Sequence, residues 1–520
     1  MKQRIVFSLL IILMGLLAAC AGRVAPTLTP APATAAPAPA SPTPAPASPA
    51  PAPALPDPTL FDTPWDDTSL FAAGLIPAER AVLDQLTNAS VYHIQFDVAD
   101  DMTHINGKLE VRYTNTESVA LPDVVFRLFP NILGGSMTVS GVKVNGASAA
   151  TTLESDNSAL RVALPQPLQP RDSVILAMDF AEEIPTTPGS NYAVLAYMDD
   201  VLALAHAYPM IPAYDDEIGW YTEIPSNQGD VTYSDIAYYL VRVTLPAGQV
   251  AAASGYEYSR AQKNGREELV FVAGPMRDFY LACSPNYTVT KEQVDDTTVC
   301  AYAPAELAAE NRLALRYAAD ALRAFEDLYG DYPFTELDVV GTPTLAGGIE
   351  YPGVIAIALS LYDADQPFFE VATAHEVGHQ WFYSVVGDDQ IHHPWLDESL
   401  TQYNTALYFD YVYGPDSFER ELSSQQRRWD YVDDANIPLD LPVSAYSEAE
   451  YGGIIYGRGG IFFDKLRQKM GDDAFARFQK DYYHQFKWDI ASTEDLKETA
   501  EAACGCNLDA LFQEWVLPKD

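Results

Sequence analysis

The stretch that decides the fold reads Ala374-His375-Glu376-Val377-Gly378-His379-Gln380-Trp381 and, after Pro394, Trp395-Leu396-Asp397-Glu398-Ser399-Leu400. The segment from Phe368 to Tyr383 has helical character, and two histidines four apart on a helix share one face, about 6 Å apart along the axis. Two neutral imidazoles so placed can hold one metal ion, and zinc suits such nitrogen donors. Glu376, beside the first histidine, can serve as general base toward water at that site. A third protein ligand is required. Eighteen residues separate His379 from Glu398, which opens a second helical run through Tyr408 and completes a His, His, Glu set for one zinc per chain. The metzincin pattern would place Gly at 382 and His at 385; the sequence has Phe382 and Val385, which excludes it. His392 and His393 lie between the two helices as loop or supporting residues, and Asp397 serves either to orient a ligand or to start the helix.

Around this centre the chain changes character. From Ala305 to Tyr329, Leu315, Ala318, Leu322 and Phe325 recur at helical spacing, and helical segments dominate from 304 to 520. Before that lies a β-rich domain, 59–303, whose pattern is period two from about residue 88 to 303. In Tyr92, Ile94, Phe96 and Val98 apolar positions alternate with polar ones, and Leu109, Val111 and Tyr113 repeat the pattern after Asn106-Gly107, which predicts a β-hairpin turning there. Similar runs at Val174–Phe180, Tyr238–Leu245, Glu268–Val272 and Phe279–Cys283 make this part all-β.

The amino terminus gives an address. Lys2 and Arg4 precede an apolar run from Ile5 to Leu17, the layout of a secretory signal and too short for an ordinary membrane-spanning helix. The run ends in Leu17-Ala18-Ala19-Cys20, which resembles a bacterial lipobox. Residues 1–19 are then a removed signal and Cys20 a lipidated anchor to the outer face of a bacterial membrane. From Val24 to Pro58 the chain is almost only Pro, Ala, Thr and Ser, so 20–58 reads as an extended linker. The 31 Lys plus Arg against 72 Asp plus Glu give a formal net charge of −41, which disfavours nucleic acid as a partner. Four cysteines remain after Cys20, and export makes disulfides the expectation. They allow three pairings. The favoured one joins Cys283 to Cys300, both in strand-like runs a short hairpin apart, leaving Cys504 and Cys506 as a local bridge or two thiols.

With these motifs the chain, from about residue 88 to 520, resembles the gluzincin aminopeptidases, the family of aminopeptidase N and leukotriene hydrolase. That resemblance implies a multidomain α+β fold, with a saddle-like antiparallel β domain followed by a mainly helical, thermolysin-like zinc peptidase domain. Gly347-Gly348-Ile349-Glu350-Tyr351 looks like the family's Gly-x-Met-Glu-Asn motif, which makes Glu350 the anchor for a peptide's free amine, with Gly347 and Gly348 permitting close backbone approach. Tyr456-Gly457-Arg458-Gly459 looks like its Tyr-Glu-Lys-Gly segment, which makes Tyr456 the stabiliser of the oxyanion, with Tyr451 five residues earlier as in some members. Ile349 and Tyr351 depart from the first motif and Gly457-Arg458 from the second. The chain stops after Leu508–Trp515, which looks like the end of the family's catalytic domain, so a more open cleft is expected.

The expected function is release of N-terminal residues from peptides at the cell surface, by zinc-activated water with Glu376 as base. One alternative is an endopeptidase of the same zinc type, which would not need Glu350. The other is a surface binding module without turnover, against which the intact His375, Glu376, His379 and Glu398 argue.

Overall fold

Period two in Ser90–Val98 buries Ile94, Phe96 and Val98 on one face of the largest sheet. The computed structural model describes residues 60–188, 192–216 and 218–518. The signal 1–19, Cys20 and the linker 20–58 lie outside the described residues. Eight strands form the large sheet in the order Tyr256–Lys263, Arg266–Met276, Ala237–Pro246, Ser90–Val98, His104–Thr114, Ser173–Glu183, Ser136–Val144 and Ala147–Ser148. Its neighbours run antiparallel except where Ser90–Val98 lies parallel to Ala237–Pro246. Three smaller sheets, of two, three and four strands, complete the β-rich part among the described residues.

The Asn106-Gly107 turn does not form there. Both residues lie inside His104–Thr114, with Asp97 opposite Asn106 and Phe96 opposite Gly107, and the chain reverses around 99–103 instead. The reason is packing: a Cβ on Gly107 would stand 1.9 Å from the Phe180 ring, so this glycine makes room for a neighbouring strand's aromatic.

A five-stranded sheet, ordered Tyr287–Val294, Thr297–Pro304, Glu336–Thr342, Val354–Ala358 and Gly348–Ile349, spans the boundary expected at 303/304. Its central parallel strands Glu336–Thr342 and Val354–Ala358 are almost wholly buried, as near-continuous apolar runs require. The short edge strand Gly348–Ile349 runs antiparallel to Val354–Ala358 and delivers Glu350 at its end.

Helices then dominate. Helix α1 (Ala308–Tyr329) buries Ala314, Ala318, Leu322 and Phe325, and packs on the sheet and on α2 (Pro367–Gly378). Helix α3 (Glu398–Tyr413) is capped by Asp397, whose carboxylate accepts from the Glu398 backbone N–H at 2.6 Å. Helix α4 (Pro415–Asp430) follows, and α5 (Glu448–Gly453) leads through a π-helical turn, Ile454–Arg458, into α6 (Gly459–Met470). This mixed β and helical layout is the α+β class expected.

Helix α2 ends at Gly378, not at Tyr383. Beyond it the chain folds back: Ser384 N–H donates to the His379 carbonyl, and the buried Arg277 guanidinium takes the Tyr383 and Val385 carbonyls at 2.9 and 3.4 Å. A charged donor from the β-rich part thus replaces helical hydrogen bonds.

The disulfide expectation is half corrected. Cys504 and Cys506 are bonded, while Cys283 and Cys300 are free and buried. Cys283 pairs with Leu202 and Ala251 in the four-stranded sheet, whereas Cys300 pairs with Lys291 and Asp338 in the five-stranded one. Strands of different sheets do not place their side chains face to face as a hairpin would.

Candidate active site

Helices α2 and α3 bring His375, His379 and Glu398 together. His375 Nε2 lies 3.0 Å and His379 Nε2 3.3 Å from Glu398 Oε2, with the two Nε2 atoms 3.1 Å apart. The far side of each ring decides what these nitrogens carry. His379 Nδ1 is 3.1 Å from the Phe382 carbonyl oxygen, which can only accept, so its proton sits on Nδ1. Thr405 spends its hydroxyl proton on the Thr401 carbonyl and therefore accepts from His375 Nδ1, 3.4 Å away. Both Nε2 atoms converge on a carboxylate oxygen. This buried cluster of two imidazole nitrogens and one carboxylate oxygen can hold a cation, and its donor set fits zinc.

Glu376 lies on the next step of α2, and its carboxylate passes over the edge strand: a Cβ on Gly348 would stand 2.4 Å from Glu376 Oε1. The expected role of Gly348 is thereby extended, since its missing side chain makes room for the Glu376 carboxylate. Burial first, and the nearby Glu350 carboxylate second, push the Glu376 carboxyl well above the usual range.

Tyr456 sits in the π-helical turn and its hydroxyl donates to Glu398 Oε1. The departure at 457 is explained by packing, because a Cβ on Gly457 would lie 2.7 Å from the Trp429 backbone nitrogen of α4. Arg458 instead turns away, donating to the Glu514 and Trp515 carbonyls. Tyr451 packs edge-on to Tyr456 at 5.7 Å.

Glu350 is held by a chain of amides and acids. Gln390 Nε2 donates to Glu350 Oε1 at 3.1 Å and to Asp397 Oδ2 at 2.9 Å, so Asp397 both caps α3 and, through Gln390, braces Glu350. Burial raises the Glu350 carboxyl, opposed by His379. His392 and His393 stay out of the cluster, paired with Asp389 and Glu223 and with Asp440 respectively. Asp230, from a loop of the β-rich part, reaches the same cleft. Burial, then Glu350 and Glu398, push its carboxyl well above the usual range. Neither Asp230 nor Gln390 carries any motif, and only the folded chain brings them here.

These elements define a mainly helical domain with a His, His, Glu cluster beside a group of acidic side chains. Residues 313–515 match the Peptidase family M1 domain. Aminopeptidase 2 of Candida albicans is 28% identical over 220 residues, 38% of this chain and 23% of that protein. Aminopeptidase N of Lactobacillus delbrueckii subsp. lactis is 26% identical over 223 residues, covering 40% and 26%. The chain thus spans about a quarter of the length of these curated relatives. The crystal structure of an M1 zinc metallopeptidase from Deinococcus radiodurans covers 83% of this chain and 94% of its own, with a TM-score of 0.59 at 22% identity, a likeness of fold. Residues 313–515 thus carry a Peptidase family M1 domain, within a chain whose fold is like that of a solved M1 zinc metallopeptidase.

Proposed function

We propose that this protein is an aminopeptidase using one zinc ion per chain, exported and anchored to the outer face of a bacterial membrane through a lipid on Cys20. The observation that carries the activity is the placement of two carboxylates, the buried Glu350 and the half-buried Asp230, lining the cleft beside His375 and Glu398. A free α-ammonium pairs with them, and in a water-poor cleft a neutral, blocked terminus would leave them unmatched. The names of the M1 relatives support the same reading.

Zinc held by His375, His379 and Glu398 would supply Lewis acidity, polarising the scissile carbonyl and acidifying water. Glu376 takes the proton of the attacking water and passes it to the departing amine; its raised pKa makes it a competent donor in that second role. The Tyr456 hydroxyl, beside the cluster, donates to the oxygen on which negative charge grows. Glu350 and Asp230 fix the amine end, so only the first peptide bond reaches Glu376.

The anchor rests on the sequence from Lys2 to Cys20, and Cys20→Ser should move the protein to the soluble fraction. The activity is tested by stripping metal with a chelator and titrating zinc back. Hydrolysis of an aminoacyl amide should return in proportion and level off at one zinc per chain. Full hydrolysis by metal-free protein would refute the proposal.

A further inference from the structure

Among the described residues the catalytic cleft, of about 340 Å³, is lined by five carboxylates, those of Asp230, Glu350, Glu376, Glu398 and Glu448, and by one guanidinium, that of Arg428. Arg428 is half-buried in the last turn of α4. A cation at a helix C-terminus complements the helix dipole, but the neighbouring Arg427 does that from the exposed side without lining the cleft.

Two glycines bring Arg428 in. A Cβ on Gly457 would stand 3.2 Å from Arg428 Cβ, and one on Gly453 would stand 2.9 Å from the Arg428 carbonyl oxygen. Helix α4 therefore closes directly on the π-helical turn that carries Tyr456. Among the described residues the guanidinium has no hydrogen bond, ion pair or ring contact of its own. Its charge reaches both ways: burial, then His379 and last Arg428, lower the His375 pKa, and Arg428 is the first of three arginines opposing the rise that burial imposes on Glu421. A planar fork of donors without a partner, beside a partly enclosed cleft, matches the two oxygens of a carboxylate.

The order of groups along the cleft decides where that carboxylate sits on a peptide. Asp230 and Glu350 also line an adjoining cavity of about 100 Å³, which Arg428, Tyr456, His375 and Glu398 do not line. The amine end thus lies on one side of the metal-binding cluster and Arg428 on the other. A peptide with its ammonium at Glu350 and its first carbonyl at the cluster runs on past Tyr456 toward Arg428 with the part that leaves. The cleft is near the lower end of the roughly 300–1,000 Å³ that ligand pockets span, so a short peptide brings its own terminus within it.

We propose that Arg428 is a specificity residue that binds a carboxylate on the leaving part of the substrate, either the chain terminus of a short peptide or an acidic side chain after the cut bond. This rests on the aminopeptidase reading above. The cleft then recognises opposite charges at its two ends. The net charge of −41 would by itself give the reverse preference, disfavouring every added carboxylate, which makes the ranking of substrates decisive.

The test compares kcat/KM for Ala-Ala-Ala, its C-terminal amide, Ala-Asp-Ala amide and Ala-Asn-Ala amide. Wild-type enzyme should favour the free tripeptide over its amide, or the Asp over the Asn peptide, by roughly tenfold, as one charge-assisted pair allows. The ratio that rises above one names the source of the carboxylate. Arg428→Met keeps the stem and removes the fork, and should bring that ratio to one or below, whereas Arg428→Lys, which keeps the charge alone, should retain part of it. The wild-type ratios stand as a readout if the Met variant fails to fold. Both ratios at or below one in wild type, or a raised ratio unmoved in an active Arg428→Met enzyme, overturn this proposal alone. No hydrolysis of any of the four by wild type overturns the aminopeptidase reading and the proposal with it.

Discussion

Gly348 and Glu376 are complementary: the edge strand and α2 approach so closely that a Cβ at 348 would lie 2.4 Å from Glu376 Oε1 and 2.5 Å from its Cγ. A methyl group there must displace the base. Gly348→Ala should lower kcat by roughly a hundredfold, as a displacement of about 1 Å at a reacting group commonly does, while zinc content and melting temperature stay near wild type. Metal analysis beside steady-state kinetics checks this, and unchanged kcat would mean that Glu376 is not the base.

In the proposed mechanism Tyr456 acts through its hydroxyl. Tyr456→Phe preserves the ring packed against Tyr451 and His375, so KM should change little. The rate should fall by roughly 10²–10³, the cost of one oxyanion donor. Equal losses in kcat and kcat/KM are the signature to look for.

Cysteine chemistry should divide cleanly. Burial pushes the Cys283 thiol up to about 12 and raises the Cys300 thiol as well, so neither is a reactive thiolate at neutral pH. Alkylation of native protein followed by peptide mass spectrometry should find Cys504 linked to Cys506, and Cys283 and Cys300 labelled only after unfolding. A Cys283–Cys300 cross-link would contradict the sheet assignment.

Glu182 lies in the large sheet, 3% exposed, with neither carboxylate oxygen hydrogen-bonded. Burial raises its pKa well above the unfolded value of about 4.3. Its contribution is therefore intact below that pH and is lost as pH rises toward the folded value. Glu182→Gln should raise the melting temperature by a few degrees at pH 8 and by less at pH 4, measured by scanning calorimetry. A gain larger at pH 4 would contradict the sign.

The zinc donors were legible in the sequence because helix periodicity alone puts His375 and His379 on one face, and the fold class because apolar periodicity switches from two to helical spacing near 304. Glu350 and Tyr456 were reachable only through family resemblance, since one follows a two-residue strand and the other lies within a five-residue turn, and no periodicity marks either element. Asp230 and Gln390 were not legible: each is carried into the site by a loop whose position long-range pairing decides. The misplaced turn at Asn106-Gly107 and the Cys283–Cys300 pairing failed for one reason. Local signals cannot say which strand, or which sheet, lies opposite.

The most direct test of the account is single-residue release from a free peptide and from its N-acetylated twin, by wild type and by Glu350→Ala. The account predicts efficient release from the free peptide, negligible cleavage of the acetylated one, and at least a hundredfold loss for the variant on the free peptide, as an ammonium desolvated without its partner requires. Wild-type enzyme that cuts the acetylated peptide equally well, or cuts at internal bonds, would contradict it and make this an endopeptidase.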